Sequence, residues 1–168
     1  MNKNGKHTSY CKANRMFNRG LAKFYEQKVE EGTYKDGKLD GLRTHWDENG
    51  LKACEYNYKD GLPNGKSFWW YENGVIREET TWKNNLLDGK SPTRYENGNK
   101  KSEGNFKDNE YDGFWAGWHE NGQKSYEVTY KDGELISEKW WNKDGSFSPN
   151  SNFPKSSLAL SARVILLT

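Results

Sequence analysis

Along most of the chain, aromatic and aliphatic residues alternate with charged and polar ones in short runs closed by Asn-Gly or Asp-Gly. Alternation of period two, bounded by residues that tolerate positive φ, predicts β-strands joined by tight turns. The punctuation is regular. "ENG" stands at 48–50, 72–74, 96–98 and 120–122, 24 residues apart, and a degenerate "KDG" follows at 143–145. Between these copies run "YKDG" at 34–37 and 58–61, "WKNN" at 82–85, "FKDN" at 106–109 and "YKDG" at 130–133, again 24 apart. A fixed period of this length marks a repeat array rather than a globule.

Each unit then holds two strands of six to eight residues. We expect "ENG" to be a two-residue hairpin turn with Glu72 facing Val75, and stretches such as "KDGLPNG" to be wider loops. About ten strands between residues 28 and 141 predict an all-β, single-layer antiparallel meander of about five stacked hairpin repeats. At ~4.8 Å per strand the sheet is elongated, roughly 45–50 Å. Only residues 20–31 hint at helical periodicity. The last unit is one residue short and lacks its second Gly, as a terminal cap would.

Comparing the copies gives a register. Glu recurs at 31, 55, 79, 103 and 127, an aromatic three residues later, and Lys directly after that. Counting from the turn pairs Gly41 with Tyr58, Gly65 with Trp82, Gly89 with Phe106 and Gly113 with Tyr130. A ring lying over each cross-strand glycine would lock the unit. Pro92 and Gly104 fall inside strands, and Asn85 and Asn109 replace a loop Gly, so the middle of the array is expected to be its weakest or most bent part.

Composition fits a thin repeat: 32% of residues are hydrophobic and 15% are aromatic, too few aliphatics for a conventional core. The formal charge of +2 is unevenly spread. Residues 1–25 carry six Lys/Arg and no acid, and residues 146–168 two and none, leaving 18 basic against 24 acidic residues, a net −6, in the body. Three regions follow: a basic leader (1–25), a repeat array (26–145), and a Ser/Pro-rich, then apolar tail (146–168) expected to be disordered or capping. A net-negative body argues against a nucleic-acid track and makes membrane association a poor expectation. Neither end reads as a secretory signal or a membrane span, so the default compartment is the cytoplasm, with export open if the start is incomplete.

Candidate chemistry is sparse. Cys11 and Cys54 lie in no paired or metal-ligand spacing, and His7, His45 and His119 form no set. No phosphate loop, nucleophile elbow or zinc motif occurs. The loop pairs Asp36/Asp40, Asp60/Asn64 and Asp108/Asp112 offer too few oxygens for calcium, and turn capping accounts for them. A Glu column in five identical registers is unlike an asymmetric active site, and pairing with the Lys four residues on explains it. No catalysis, cofactor or metal is expected.

"YENG…KDG…DG" at a 24-residue period, over residues 28–145, resembles the MORN-variant repeat, the bacterial form found in YwqK-type antitoxin-component proteins. The resemblance implies hairpin units stacked into an elongated sheet, a non-enzymatic binding or scaffolding role, and, in the antitoxin case, a partner toxin.

The aromatics point to the contact surface. Phe68 and Trp70 share one face of their strand, while Trp69 and Tyr71 share the other, so both sides carry rings. Trp46, Trp70 and Trp118 occupy one repeat position, with Arg94 in that slot of the odd unit. Exposed Trp and Arg mark interaction surfaces. The candidate partner-binding set is Trp46, Phe68, Trp69, Trp70, Arg94, Trp115 and Trp118. Another protein is the expected partner, with self-association through open sheet edges belonging to the same class. The alternative is a glycan or cell-wall repeat of the choline- or glucan-binding type, whose rings form cages or stacking platforms.

Overall fold

The computed structural model describes the backbone of residues 4–17 and 21–149 and the side chains of residues 4–10 and 27–149. Within these residues there is no helix and there are fourteen strands: β1 (Gly5–Phe17), β2 (Leu21–Lys35), β3 (Lys38–Trp46), β4 (Lys52–Lys59), β5 (Leu62–Pro63), β6 (Gly65–Trp70), β7 (Ile76–Lys83), β8 (Leu86–Leu87), β9 (Gly89–Lys90), β10 (Thr93–Arg94), β11 (Lys100–Lys107), β12 (Glu110–Trp118), β13 (Lys124–Lys131) and β14 (Glu134–Trp140). They make one open antiparallel sheet in the order β1-β2-β3-β4-β6-β7-β10-β11-β12-β13-β14, a hairpin meander as expected. The stretch 21–31 is not helical: Leu21–Lys35 is β2, which crosses the boundary drawn at residue 25, and residue 20 of the hinted helix lies outside the described residues.

The two kinds of turn are the reverse of the expectation. The two-residue turn is the "KDG" one, where Lys35 pairs with Lys38, Lys59 with Leu62 and Lys83 with Leu86. Both central residues take positive φ: Asp36 49° and Gly37 78°, Asn84 50° and Asn85 70°, Asp108 50° and Asn109 71°. That is the type I′ hairpin turn, whose twist matches the strands. Asn tolerates this conformation, so Asn85 and Asn109 substitute for Gly without breaking the turn. "ENG" is instead a three-residue loop. The Gly74 N–H donates to the Tyr71 carbonyl (2.9 Å) and the Tyr71 N–H to that of Val75 (2.9 Å), with Gly74 at φ 83°. Tyr71, not Glu72, therefore faces Val75.

The glycine register nevertheless falls where it was counted. Gly41 opposes Tyr58, Gly65 Trp82, Gly89 Phe106 and Gly113 Tyr130. Two offsets cancel. The loop holds one residue more than assumed, and the returning strand inserts one at a bulge: Trp69 pairs with Glu78 but Trp70 with Ile76, leaving Arg77 unpaired. The bulge recurs at Val29, Ala53, Lys101 and Ser125, every 24 residues.

The glycines are needed for their backbone rather than as seats for rings. Gly41, Gly65 and Gly89 sit at φ 112°, 101° and 125°. A Cβ there would meet the side chains of Thr33, Asn57 and Thr81 first, and at Gly113 nothing lies within 4 Å. Rings do cover glycine elsewhere. A Cβ at Gly104 would stand 2.0 Å from Trp115, and one at Gly117 2.0 Å from Tyr126. Gly104 thus admits the Trp115 ring. Pro92 does interrupt its strand, separating β9 from β10, while the gap between β8 and β9 at Asp88 repeats the one between β5 and β6 at Asn64. Bonds from the Ser91 N–H to the Gly104 carbonyl and from the Glu79 N–H to the Pro92 carbonyl (both 3.0 Å) carry the sheet past it.

One face of the sheet is packed. Trp82, Leu87, Phe106, Trp115 and Val128 form its buried cluster, with Tyr111, Tyr126, Tyr130, Leu135 and Trp140 against it. Phe106, Tyr111 and Trp115 lie 4.8–5.0 Å apart between centroids, in tilted and edge-to-face contacts.

The basic leader contains a strand of the array. Gly5–Tyr10 runs beside β2 as Gly41–Trp46 runs beside β4: Gly5 opposes Tyr34 at φ 84°, Thr8 opposes Glu31 and Tyr10 opposes Lys28. Twenty-nine positions separate Gly5 from Tyr34 where 17 separate Gly41 from Tyr58, so the first unit carries twelve extra residues at its tip. At the other end Trp141 bridges Phe147, and the Ser148 N–H donates to the Trp140 carbonyl (2.9 Å). The rest of the tail expected to be disordered or capping, residues 150–168, lies outside the described residues.

Because φ decides at these glycines, Gly89→Ala should destabilise by about 2 kcal/mol and Gly113→Ala by about 1 kcal/mol. Urea titration with matched m-values would check this, and equal costs would contradict it.

Candidate functional site

The unpacked face carries a ladder that the bulges create. In a plain strand, residues three apart point to opposite sides. The extra residue brings Lys28, Lys52, Lys100 and Lys124 onto the side of the Glu three positions later. Lys28 bonds Glu31, Lys52 bonds Glu55, Lys100 bonds Glu103 (2.8 Å) and Lys124 bonds Glu127. Glu therefore pairs with the Lys before it, not with the Lys four residues on. Lys28, aided by Lys6, holds the Glu31 carboxyl below its ordinary range. Each lysine also lies over a tryptophan: Lys28 over Trp46 (4.3 Å), Lys52 over Trp70 (5.5 Å), Lys100 over Trp118 (5.3 Å) and Lys124 over Trp141 (5.7 Å).

The ladder breaks once, and both partners change together. The lysine slot is Ile76 and the tryptophan slot is Arg94. Glu79 takes the cross-strand Lys66 instead (2.6 Å), while the Arg94 guanidinium donates to the Gly98 carbonyl (3.3 Å). A Lys beside Arg94 would face a like charge with no ring to cover, which accounts for Ile. Around the break lie Phe68 and Trp70, 5.9 Å apart, exposed Ile76, and a hollow of about 260 Å³ lined by Pro92, Gly104 and the exposed Phe114.

The candidate binding residues divide between the faces. Trp46, Phe68, Trp70 and Trp118 are half-buried and Arg94 is exposed, all on the ladder face. Trp69 and Trp115 are buried on the packed face, Trp69 edge-on to Tyr56 (5.2 Å) and Trp115 in the aromatic cluster. Alternation assigns them there, so they are core and offer no contact surface. The lysines, Phe114 and Trp141 are residues that sequence reasoning missed. Their signal was a Lys–x–x–Glu spacing at the repeat period, unreadable without the bulge.

Along the "ENG" edge, each turn holds the next. Tyr71 and Tyr95 donate to the carbonyls of Arg94 and Trp118 (both 2.8 Å), and Asn73 and Asn121 to those of Glu96 and Lys143 (both 2.8 Å). His119 stands in the tyrosine slot with Nε2 2.9 Å from the Trp141 carbonyl, a structural task.

With this geometry in view, the comparison with known families is specific. The MORN repeat variant family matches residues 63–84, 87–108 and 112–132. Each matched stretch covers one outgoing strand, its "ENG" loop and the bulged return strand. Three units are thus similar to the MORN repeat variant. The hairpins on either side share their register without being matched, and the family's description mentions no toxin. None of the curated proteins matches the chain. Among the described residues no helix is long and apolar enough to cross a membrane.

The paired change at Ile76 and Arg94 predicts coupling. Ile76→Lys alone should destabilise, and Ile76→Lys with Arg94→Trp should restore a ladder pair, giving a favourable coupling of about 0.5–1 kcal/mol in a denaturation double-mutant cycle. Additive effects would contradict the pairing.

Proposed function

We propose that this chain is a non-enzymatic binding repeat protein whose ladder face docks another protein. The observation that carries the reading is the division of the rings. One set fills the packed face, while Trp46, Phe68, Trp70, Phe114 and Trp118 line a face that no other element of the described chain covers. Apolar rings interleaved with Lys–Glu pairs make a surface with an aromatic centre and polar relief, the make-up of interface hot regions. The break at Ile76 and Arg94 gives the surface an address. A repeat-independent cation beside Phe68, Trp70 and the Phe114 hollow suits a partner segment with an apolar anchor next to a carboxylate. A sugar-stacking platform is less well served, since Lys28, Lys52 and Lys100 already lie over the Trp rings such a ligand would use. The array's length and repetition suit a scaffold that presents this contact rather than a pocket that turns over a substrate.

The test is capture with the immobilised full chain from an extract of the source cells, followed by titration of the purified partner. The reading predicts one protein retained at stoichiometric level. Trp70→Ala and Trp118→Ala should each weaken it roughly 30-fold or more, and Lys83→Ala, at the end of β7 far from Trp70, should leave it unchanged. Retention of polysaccharide alone, released by free sugar or choline, would overturn the reading, as would a protein partner indifferent to both tryptophans.

A further inference from the structure

The packed face is not filled evenly. Its ring slots beside the "ENG" edge run His45, Trp69, Thr93 and Gly117 along the outgoing strands, and Cys54, Glu78, Ser102 and Tyr126 along the returning ones. In one unit Trp69 fills the space against Tyr56, and at the far end Trp140 fills it against Tyr126 (both 5.2 Å between centroids). In the middle unit both slots hold hydroxyls: Thr93 Oγ1 and Ser102 Oγ are 2.6 Å apart. Among the described residues no ring stands in the Thr93 or Ser102 slot, and the Tyr126 ring lies over the neighbouring Gly117. A cavity of about 380 Å³ stands there, lined by Tyr71, Tyr95 and Tyr126 and reached by Arg94 and Trp118. That volume is in the range of small-molecule sites, and its walls combine aromatic surface with a few convergent polar groups.

The polar groups are charged. Two successive bulges, those of β7 and β11, bring Arg77 and Lys101 to the rim of the cavity, and Glu78 lines it from the adjoining position. Neither cation forms an ion pair of 4 Å or less with Glu78, although both act on it electrostatically. The remaining units carry no such pair of cations, because the corresponding bulge residues are Val29, Ala53 and Ser125. The missing ring and the added cations thus fall at the same unit.

We propose that this cavity is a binding site for a small ring-bearing organic anion, its ring in the slot left by Thr93 and Ser102 and its acidic group between Arg77 and Lys101. The hydroxyls of Thr93, Ser102 and Tyr126 face the ring's polar substituents, and the rings of Tyr71 and Tyr95 close its sides. Glu78 opposes the anion and sets an upper limit on affinity, so its removal strengthens binding. Arg94 and Trp118 of the proposed protein contact also line the cavity, so Arg77 and Lys101, which belong to it and not to that contact, are the positions that tell the two readings apart.

Benzoate is the first probe, titrated into the full chain and followed by calorimetry and by the chemical shifts of the tyrosine rings. One-to-one binding with a Kd of about 1 mM or below is expected. Arg77→Gln and Lys101→Gln should each weaken it roughly tenfold, Glu78→Gln should tighten it, and Lys90→Gln, outside the cavity, should leave it unchanged. Benzylamine, of the same size and opposite charge, should bind at least tenfold more weakly. No saturable benzoate binding up to about 20 mM would overturn the proposal. Equal or tighter binding of benzylamine would overturn it too, as would benzoate binding that ignores Arg77 and Lys101. Circular dichroism of each variant separates a lost site from a lost fold.

Discussion

One inserted residue per hairpin, at the bulge on each returning strand, is the constraint on which the remaining structure rests. It resets the alternation after the three-residue "ENG" loop. Trp69 and Glu78 then share the packed face, while Trp70 and Ile76 share the other. Without it, each returning strand would turn its core residues outward, since a slip of one position exchanges the faces of a strand. The same insertion places Lys and Glu, three apart in sequence, side by side. Sheet register, the aromatic core and the charged ladder are therefore consequences of one backbone irregularity repeated every 24 residues.

Stability in such an array is a sum of unit terms and junction terms. The junctions are built twice. Backbone bonds on the type I′ edge run from Gly61, Asn85 and Asn109 to the carbonyls of Leu39, Pro63 and Leu87. Tyrosine and asparagine side chains do the same on the "ENG" edge. This explains why the motif is "YENG" rather than any Gly-containing loop. The Asn73 amide accepts from its own turn at Val75 (3.0 Å) and donates to the next turn. Since both edges are held by residues in the turns, the strand residues of the ladder face are left to vary, as Ile76 and Arg94 do.

Much of this was legible in the sequence. The period, the sheet and the four glycine–aromatic registers follow from counting, and the two-faced reading of "FWWY" follows from alternation. Other features were hidden for physical reasons. Asn-Gly and Asp-Gly both signal tight turns, and only the pairing of Lys83 with Leu86 and Tyr71 with Val75 tells a two-residue loop from a three-residue one. The first unit escaped because twelve extra residues break its period, although "NGKHTSY" at 4–10 is a copy of "DGLRTHW" at 40–46. Trp69 and Trp115 entered the contact set because composition marks them as surface risks, and burial removes them. The Lys–Trp pairs were out of reach, since period-two reasoning sets Lys28 and Glu31 on opposite sides. The cavity was foreshadowed only by Thr93 and Ser102 standing where rings recur.

The account's central claim is that the tryptophans are divided between a core face and a contact face. Tryptophan footprinting by mass spectrometry, on the protein alone and bound to its captured partner, tests it most directly. Trp46, Trp70 and Trp118 should be oxidised readily in the free protein and protected in the complex, with Trp69, Trp82 and Trp115 slow in both. Fast oxidation of Trp69 or Trp115 in the folded free protein, or no protection of Trp70 and Trp118 in the complex, would contradict it.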